Sequence, residues 1–153
     1  MLTDVSLAEG PIDTAALRRA LSDPDAGAVL LFEGCPRGGH PERPVAALVF
    51  EAYVPMALAR LAELREEALA RFALRRCLVH HRLGAVPLGE PAVAVALAGV
   101  HRREAFEAAA WIMDTLKAQV PIWKRERYTD GTEAWVEAPP TGSSSGAAAP
   151  GRR

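Results

Sequence analysis

Five basic residues stand where predicted strands and helices end, which is where side chains of neighbouring elements meet in a cleft. Arg37 lies in a loop rich in Gly and Pro, and His101 and Arg102 join an apolar strand to a helix. Lys117 lies in the last turn of that helix, and Lys124 begins the next segment. One charge pair at about 4 Å contributes on the order of 4 kcal/mol at an effective dielectric of about 20. Two or three of these residues can therefore hold a phosphate or another compact anion.

Each of these residues also has a plainer interpretation, and the residues alone leave both open. The helix dipole by itself favours a lysine in a last helical turn, which applies to Lys117. Lys124 is followed by two further charged residues, a pattern typical of a solvated strand face. His101 also fits a strand end with its own hydrogen-bond partner, and Arg37 fits an ordinary surface loop.

Other residue types that often do chemistry are less well placed. His80 and His81 are consecutive in a predicted strand, so they point to opposite faces and cannot both bind one metal ion. Cys35 has no base beside it in the sequence to activate a nucleophilic thiol. Cys35 and Cys77 are too few for a disulfide scaffold, and they fit a reduced, cytoplasmic protein.

Strand and helix periodicities alternate along the chain. Asp13 or Thr14 caps the first predicted helix, and Asp130-Gly131 predicts a tight turn in a closing hairpin. The predicted elements are a helix to residue 21, a strand 28–32, a loop 34–44, a strand 45–53, a helix 55–72, a strand 74–81, a strand 92–100, a helix 103–118 and a hairpin within 124–138.

The strand 92–100 is apolar on both faces. Val93, Val95 and Leu97 point one way, whereas the other face has only alanines. Small side chains on one face indicate a central strand with a helix packed close against it. The helix 103–118 is the expected partner, through Phe106, Ala110, Met113 and Leu116.

The other long helix, 55–72, has an apolar stripe that predicts its buried face: Met56, Leu61, Leu64, Ala68 and Phe72. Strands with interspersed helices, one hairpin and no glycine-rich phosphate loop predict an α+β fold. We expect a mixed or antiparallel sheet packed with helices. The order of the strands does not follow from these patterns.

Length and composition predict one domain and a tail. A chain of 153 residues can form one core. We place the domain at 1–138 and interpret 139–153, rich in Pro, Gly, Ser and Ala, as a disordered tail. The net charge of −1 gives no overall field to attract nucleic acid or a membrane. The first residues do not resemble a signal peptide, and no apolar run is long enough to span a bilayer.

The segment MDTLKAQVPIWKRE, residues 113–126, resembles the lysine motif of the molybdopterin synthase catalytic (large) subunit family. Four other segments are similar to this family in order and spacing, so the resemblance covers about residues 3–138. They are GAVLLFEG, EAYVPMA, HHRLGAVPLGEPAVAVALAGVHRREAFEA and TEAWVEA.

The resemblance implies a hammerhead-like α+β fold and a sulfur-transfer reaction. In this family the large subunit forms a homodimer, and a small ubiquitin-like sulfur-carrier subunit docks at each far end to give a heterotetramer. The carrier ends in Gly-Gly with a C-terminal thiocarboxylate. Its sulfur converts cyclic pyranopterin monophosphate to molybdopterin, a step of molybdenum cofactor biosynthesis. No cofactor or metal is expected.

The resemblance also assigns roles to residues of this sequence. It implies that Lys117 and Lys124 are catalytic, and that five further residues bind substrate: Arg37, His101, Arg102, Phe32 and Met113. Gly38 and Gly39 replace polar loop residues that are usual in the family, and Pro139 stands where many members have an arginine. The main alternative is therefore a non-catalytic, carrier-binding relative that keeps the fold. An anion-binding regulator unrelated to sulfur transfer would require the lysine motif to be coincidental.

Overall fold

The computed structural model describes residues 2–136. The predicted domain end at Ala138 and the predicted tail, 139–153, lie outside the described residues. The strands are β1 Val5–Glu9, β2 Ala28–Gly34, β3 Gly39–His40, β4 Arg43–Ala52, β5 Leu74–Pro87, β6 Val93–Gly99, β7 Ile122–Tyr128 and β8 Glu133–Trp135. The helices are α1 Thr14–Ala20, α2 Val54–Arg71 and α3 Arg102–Gln119.

The strands form one mixed sheet. Its order is β2-β6-β5-β4-β7-β8, with β1 added beside β5 and β3 beside β4. Only β1 pairs in parallel, and the remaining pairs in the described part of the chain are antiparallel. The predicted α+β class with a mixed or antiparallel sheet is therefore confirmed. No helix within residues 2–136 has the length and hydropathy needed to cross a bilayer.

The long strand β5 joins two groups of strands. Its first part pairs with β6 and β1, and its last residues, from Gly84, pair with β4. The sequence predicted only the first part of this strand, 74–81. Gly84 has φ +78°, a backbone conformation that interrupts the expected strand pattern but suits glycine. The junction between the two groups of strands is where the candidate site lies.

The two faces of β6 have different partners. Val93, Val95 and Leu97 belong to the main core, which α2 and α3 cover. The alanine face packs instead against Leu17 and Leu21, which lie in and just after α1. The prediction that α3 covers the alanine face was wrong. The short α1 covers it because two leucines fill the space that the alanines leave open.

The predicted buried faces of the long helices were partly wrong. On α3, Phe106 is 63% exposed and Ala110 is also exposed, whereas Ala105, Ala108 and Ile112 are buried. The many alanines of α3 allow two stripes at helical spacing, and the sheet takes the smaller one, which lets the helix approach closely. On α2, Leu61, Leu64 and Ala68 are buried as predicted, but Met56 is 65% exposed.

Local signals at the chain reversals were largely correct. Asp13 caps α1 through its Oδ1, which accepts a hydrogen bond from the Ala16 amide at 2.9 Å. β7 and β8 form the predicted hairpin, with Gly131 at φ +87° in its turn. The predicted loop 34–44 contains the short strand β3, which folds back onto the start of β4.

Candidate functional site

A pocket of about 210 Å³ opens at the junction between the two groups of strands. Its walls come from β2 and the segment after it, from β4, β5, β6 and β7, and from the last turns of α3. Residues far apart in the sequence therefore meet here. The pocket contains four of the predicted site residues: Phe32, Met113, Lys117 and Lys124.

The two lysines enter the pocket from different elements. Lys117 lies in the last turn of α3, one turn after Met113, and its side chain is exposed. The chain leaves the helix at Pro121 and begins β7, where half-buried Lys124 pairs with Phe50 of β4. Proline cannot continue the helix, so the sequence between the lysines forces the turn that brings both to one cavity.

Lys117 and Lys124 are the only lysines in the sequence, which has 18 basic residues of Lys and Arg type. Neither makes an ion pair or a side-chain hydrogen bond with any other residue in 2–136. The structural ion pairs of the described chain are instead made by arginines, namely Arg60, Arg65, Arg75, Arg76, Arg82, Arg103, Arg125 and Arg127. Both ammonium groups are thus left for a ligand.

The pocket favours an anion. Among the described residues that line it, none is Asp or Glu. Glu51, which precedes the end of β4, is engaged by Arg125 on β7, and Glu133 is engaged by both Arg125 and Arg127. Two uncompensated ammonium groups in a partly enclosed, apolar-walled cavity attract negative charge more strongly than they do in open solvent.

The apolar walls leave a narrow space. Phe32 stands on β2 with 37% of its surface exposed, and Leu48, Phe50 and Met113 line the same cavity. Gly34 lies opposite Val93, and a Cβ at Gly34 would stand 2.7 Å from a Val93 methyl carbon. Any larger residue would have to displace this wall, so glycine keeps the strands close and the cavity open.

His81 lies in the pocket wall and is only 5% exposed. Its ring packs edge-on against Phe50, with 4.9 Å between the ring centroids. Burial lowers the pKa of His81 to about 4; the hydrogen bond to the Arg82 backbone opposes this in part, and the charge of Lys124 adds a smaller lowering. His81 is therefore neutral at pH 7, and the charge of the pocket comes from the lysines.

Three predicted site residues do not line this pocket. His101 is the N-cap of α3 and Arg102 its first residue, and both are exposed. Fifteen residues of helix at about 1.5 Å each put Arg102 about 22 Å from Lys117 along the axis. Arg37 is exposed and follows Pro36, which does line the pocket.

The sequence did not single out His81, Cys35 and Trp123 as pocket residues. Cys35 has an exposed, free thiol at the end of β2. Trp123 is buried, with its ring centroid 5.0 Å from that of Tyr53, and it also contributes to the pocket wall. The signal for His81 was its alternation with His80, because one of two consecutive strand residues must face the interior. Within residues 2–136, no three His, Cys, Asp or Glu side chains are grouped as metal ligands.

The sequence from residue 7 to residue 119 matches the family described as MoaE protein. The chain belongs to the MoaE family. The resemblance inferred from the lysine motif is thereby confirmed. It places the chain among enzyme subunits, because curated relatives have the name molybdopterin synthase catalytic subunit.

Two such MoaE relatives come from distant organisms. The one from Oryza sativa subsp. indica is 48% identical over 128 residues, which cover 84% of this chain and 66% of the rice protein. The chain thus spans about two thirds of the length of that relative. The one from Thermoplasma volcanium is 39% identical over 133 residues, 87% of this chain and 97% of that protein.

The MoaE fold is also found among solved structures. Molybdopterin synthase from Staphylococcus aureus superposes with a TM-score of 0.83 at 28% sequence identity. The superposition covers 90% of this chain and 100% of the Staphylococcus aureus chain. The hammerhead-like fold that the resemblance implied is thus confirmed. The family match ends at residue 119, so Lys117 lies inside it and Lys124 just beyond it.

Proposed function

We propose that this MoaE chain is a sulfurtransferase that converts cyclic pyranopterin monophosphate to molybdopterin in molybdenum cofactor biosynthesis. The sulfur comes from the C-terminal thiocarboxylate of a small ubiquitin-like carrier subunit. The observation that supports this most is that the only two lysines of the chain share one pocket and have no carboxylate partner in the described residues.

The chemistry of sulfur transfer suits this pocket. The thiocarboxylate sulfur forms a bond to a substrate carbon while that carbon's bond to oxygen breaks, and the oxygen leaves as water or stays on the phosphate. Water then adds to the carrier carbonyl and breaks the carrier's C–S bond, which leaves the sulfur on the substrate and releases the carrier as a carboxylate. A second thiocarboxylate repeats this to complete the dithiolene. Negative charge moves between sulfur, oxygen and the leaving group during these steps. Ammonium groups fixed at Lys117 and Lys124 stabilise that charge, and the narrow walls suit a Gly-Gly tail without side chains.

We propose that Lys117 and Lys124 are the catalytic residues and that Phe32 and Met113 form apolar walls for the substrate. The cavity of about 210 Å³ is smaller than the roughly 300–1,000 Å³ of most small-molecule sites. It therefore suits the carrier tail and the reacting part of the substrate rather than the whole substrate. We propose that Arg37, which is exposed and follows the pocket residue Pro36, binds the part that protrudes.

His101 and Arg102 require a different arrangement. Because α3 holds them about 22 Å from Lys117 along its axis, they cannot share the pocket of their own chain. We therefore propose a homodimer in which His101 and Arg102 of a second copy complete each site. With one carrier docked at each site, the assembly is a heterotetramer. Two free cysteines suit a reduced compartment, and we propose the cytoplasm.

Product formation tests the function. The purified protein, mixed with thiocarboxylated carrier and cyclic pyranopterin monophosphate, is expected to yield molybdopterin without added metal or cofactor. The readout is the fluorescent oxidation product of the pterin together with the loss of the thiocarboxylate mass from the carrier. A carrier that binds tightly without any product would contradict the proposal. It would favour the non-catalytic, carrier-binding relative, to which Gly38 and Gly39 in the exposed loop point.

Complementation between two inactive variants tests the shared site. We expect Lys117→Ala and Arg102→Ala to be weakly active alone and to recover activity when they are unfolded together, mixed and refolded. If a twofold dimer forms, half of the molecules are mixed and have one intact site of two, so about one quarter of the normal activity returns. A mixture of Lys117→Ala with Lys124→Ala is the control, because both changes affect the same chain's pocket in the proposed arrangement. In the mixed dimer of that pair, one site lacks Lys117 and the other lacks Lys124. No intact site forms, so activity should not recover. Recovery only in the control, or in neither mixture, would refute a site shared in this way.

A further inference from the structure

His81 is a buried polar group of the pocket wall, and one of its ring nitrogens is not engaged by any residue in 2–136. Its Nδ1 lies 2.8 Å from the backbone oxygen of Arg82. A carbonyl oxygen only accepts hydrogen bonds, so Nδ1 must have the hydrogen. In the neutral ring Nε2 then has a free lone pair, and no residue in 2–136 donates a hydrogen bond to it.

The position of the ring is fixed from three sides. His81 lies in the interior of the sheet, in register with Leu7 of β1 and Val93 of β6. Phe50 packs edge-on against it, and the Arg82 carbonyl sets the orientation of the ring. A side chain that is only 5% exposed and held in this way presents its free nitrogen in one direction.

The His81 ring interacts with residues of the larger pocket. Phe50 and Lys124, which interact with the His81 ring through packing and charge, both line the pocket. The neighbouring His80 faces the other way, and its Nε2 is already engaged with the Thr3 backbone oxygen at 2.7 Å. A smaller cavity on that face is lined by both histidines, but strand alternation puts the side chain of His80 there.

We propose that His81 is a specificity-determining residue whose Nε2 accepts a hydrogen bond from an N–H group of the ligand in the pocket. The inference rests on the proposed function and extends it. Every other polar side chain of the pocket wall named above is a hydrogen-bond donor or a thiol, so His81 supplies the acceptor that a purely cationic pocket lacks. The donor is an amide-type N–H, which both the last peptide group of the carrier tail and the pterin ring can offer.

The charge state of His81 strengthens its preference for ligands with an N–H donor. A protonated His81 would donate at Nε2 and would repel the same ligand N–H. The surrounding burial and Lys124, which lower the pKa of His81, keep the ring in its accepting form. Lys117 is the other charged side chain of the pocket and is also a cation. Anions are thus recognised by the lysines, and the histidine distinguishes those that also have an N–H donor.

Two substitutions separate the acceptor from the rest of the ring. In His81→Asn the amide nitrogen can replace Nδ1 and keep the bond to Arg82, but nothing replaces Nε2. In His81→Gln the longer side chain places an amide oxygen near the Nε2 position. His80→Asn is the matched control, since it removes an Nε2 that the chain itself uses.

We expect His81→Asn to raise the KM for substrate or for carrier about tenfold, with kcat changed less than about threefold, as for one lost hydrogen bond. His81→Gln should stay within about threefold of the unchanged protein, and His80→Asn should leave both KM values unchanged. A higher KM for the carrier identifies the tail amide as the donor, and a higher KM for the substrate identifies the pterin. Unchanged KM values in His81→Asn, or equal defects in His81→Asn and His81→Gln, would overturn the proposal.

A measurement on the unchanged protein does not depend on turnover or on the variants folding. In the ¹⁵N spectrum of protein labelled at histidine, the Nε2 signal of His81 should be that of an unprotonated nitrogen. It should move towards the protonated range when unsulfurated Gly-Gly carrier or cyclic pyranopterin monophosphate is added. A shift with either ligand supports the proposal even if no product forms, and no shift with both ligands bound overturns it.

Discussion

Lys117→Ala is expected to reduce product formation about 100-fold, corresponding to roughly 3 kcal/mol for the loss of one preorganised charge. Lys117 reaches the pocket from the last turn of α3 and makes no ion pair within residues 2–136. Its removal should therefore cost little stability and leave carrier binding nearly intact. Single-turnover conversion with preformed thiocarboxylated carrier is the measurement. Near-normal product from a folded variant would show that the site is built on other residues.

Two further variants sharpen this test. Lys117→Arg should not restore activity, because a planar guanidinium cannot replace a compact ammonium or readily give up a proton. The chain itself supports this distinction, since its described ion pairs use arginine and both of its lysines are in the pocket. Arg103→Ala is the matched control. It removes a cation from the same helix, where the side chain is 83% exposed, and should leave the rate unchanged.

Leu61→Ala is expected to lower the free energy of unfolding by about 2–5 kcal/mol. Leu61 is 0% exposed and belongs to the main core between α2 and the sheet. Its truncation removes buried methyl groups and leaves a cavity that the packed strands beneath cannot easily close. Chemical denaturation monitored by circular dichroism, at one fixed protein concentration for all variants, gives the value.

Met56→Ala is the control for this measurement. Met56 lies on the same helix and in the same predicted stripe, but it is 65% exposed. Its truncation should change the free energy of unfolding by less than about 0.5 kcal/mol. A loss as large as that of Leu61→Ala would mean that a second chain covers Met56 in solution.

Local signals predicted most of the helices and strands. Asp13 as a cap, Asp130-Gly131 as a turn and the double apolar face of β6 each depend on a few neighbouring residues, and all three are present in the structure. The partner of the alanine face was not predictable in the same way. Which helix lies over a strand depends on strand order, and short-range periodicity does not contain that information.

The residues of the site also divide into those that local spacing predicts and those that depend on strand pairing. Met113 and Lys117 are one helical turn apart, so their shared position at the pocket follows from spacing alone. His81 enters the pocket only because β5 joins both groups of strands, and this pairing connects residues far apart in the chain. The family resemblance named His101 and Arg102 together with the lysines, but one rigid helix keeps them apart within a single chain.

The pairing of β5 also determines when the protein can fold during synthesis. Val5, the first residue of β1, pairs with Val79 of β5. Ala52 of β4 pairs with Ile122 of β7, which is synthesised much later. At a synthesis rate of about 5–20 residues per second, each early strand is without its partner for roughly 4–15 seconds. Closing such long loops is entropically costly, so local helices form first and the sheet assembles late. The nascent chain therefore exposes its apolar strands to solvent, and to other chains, until nearly all of it has left the ribosome.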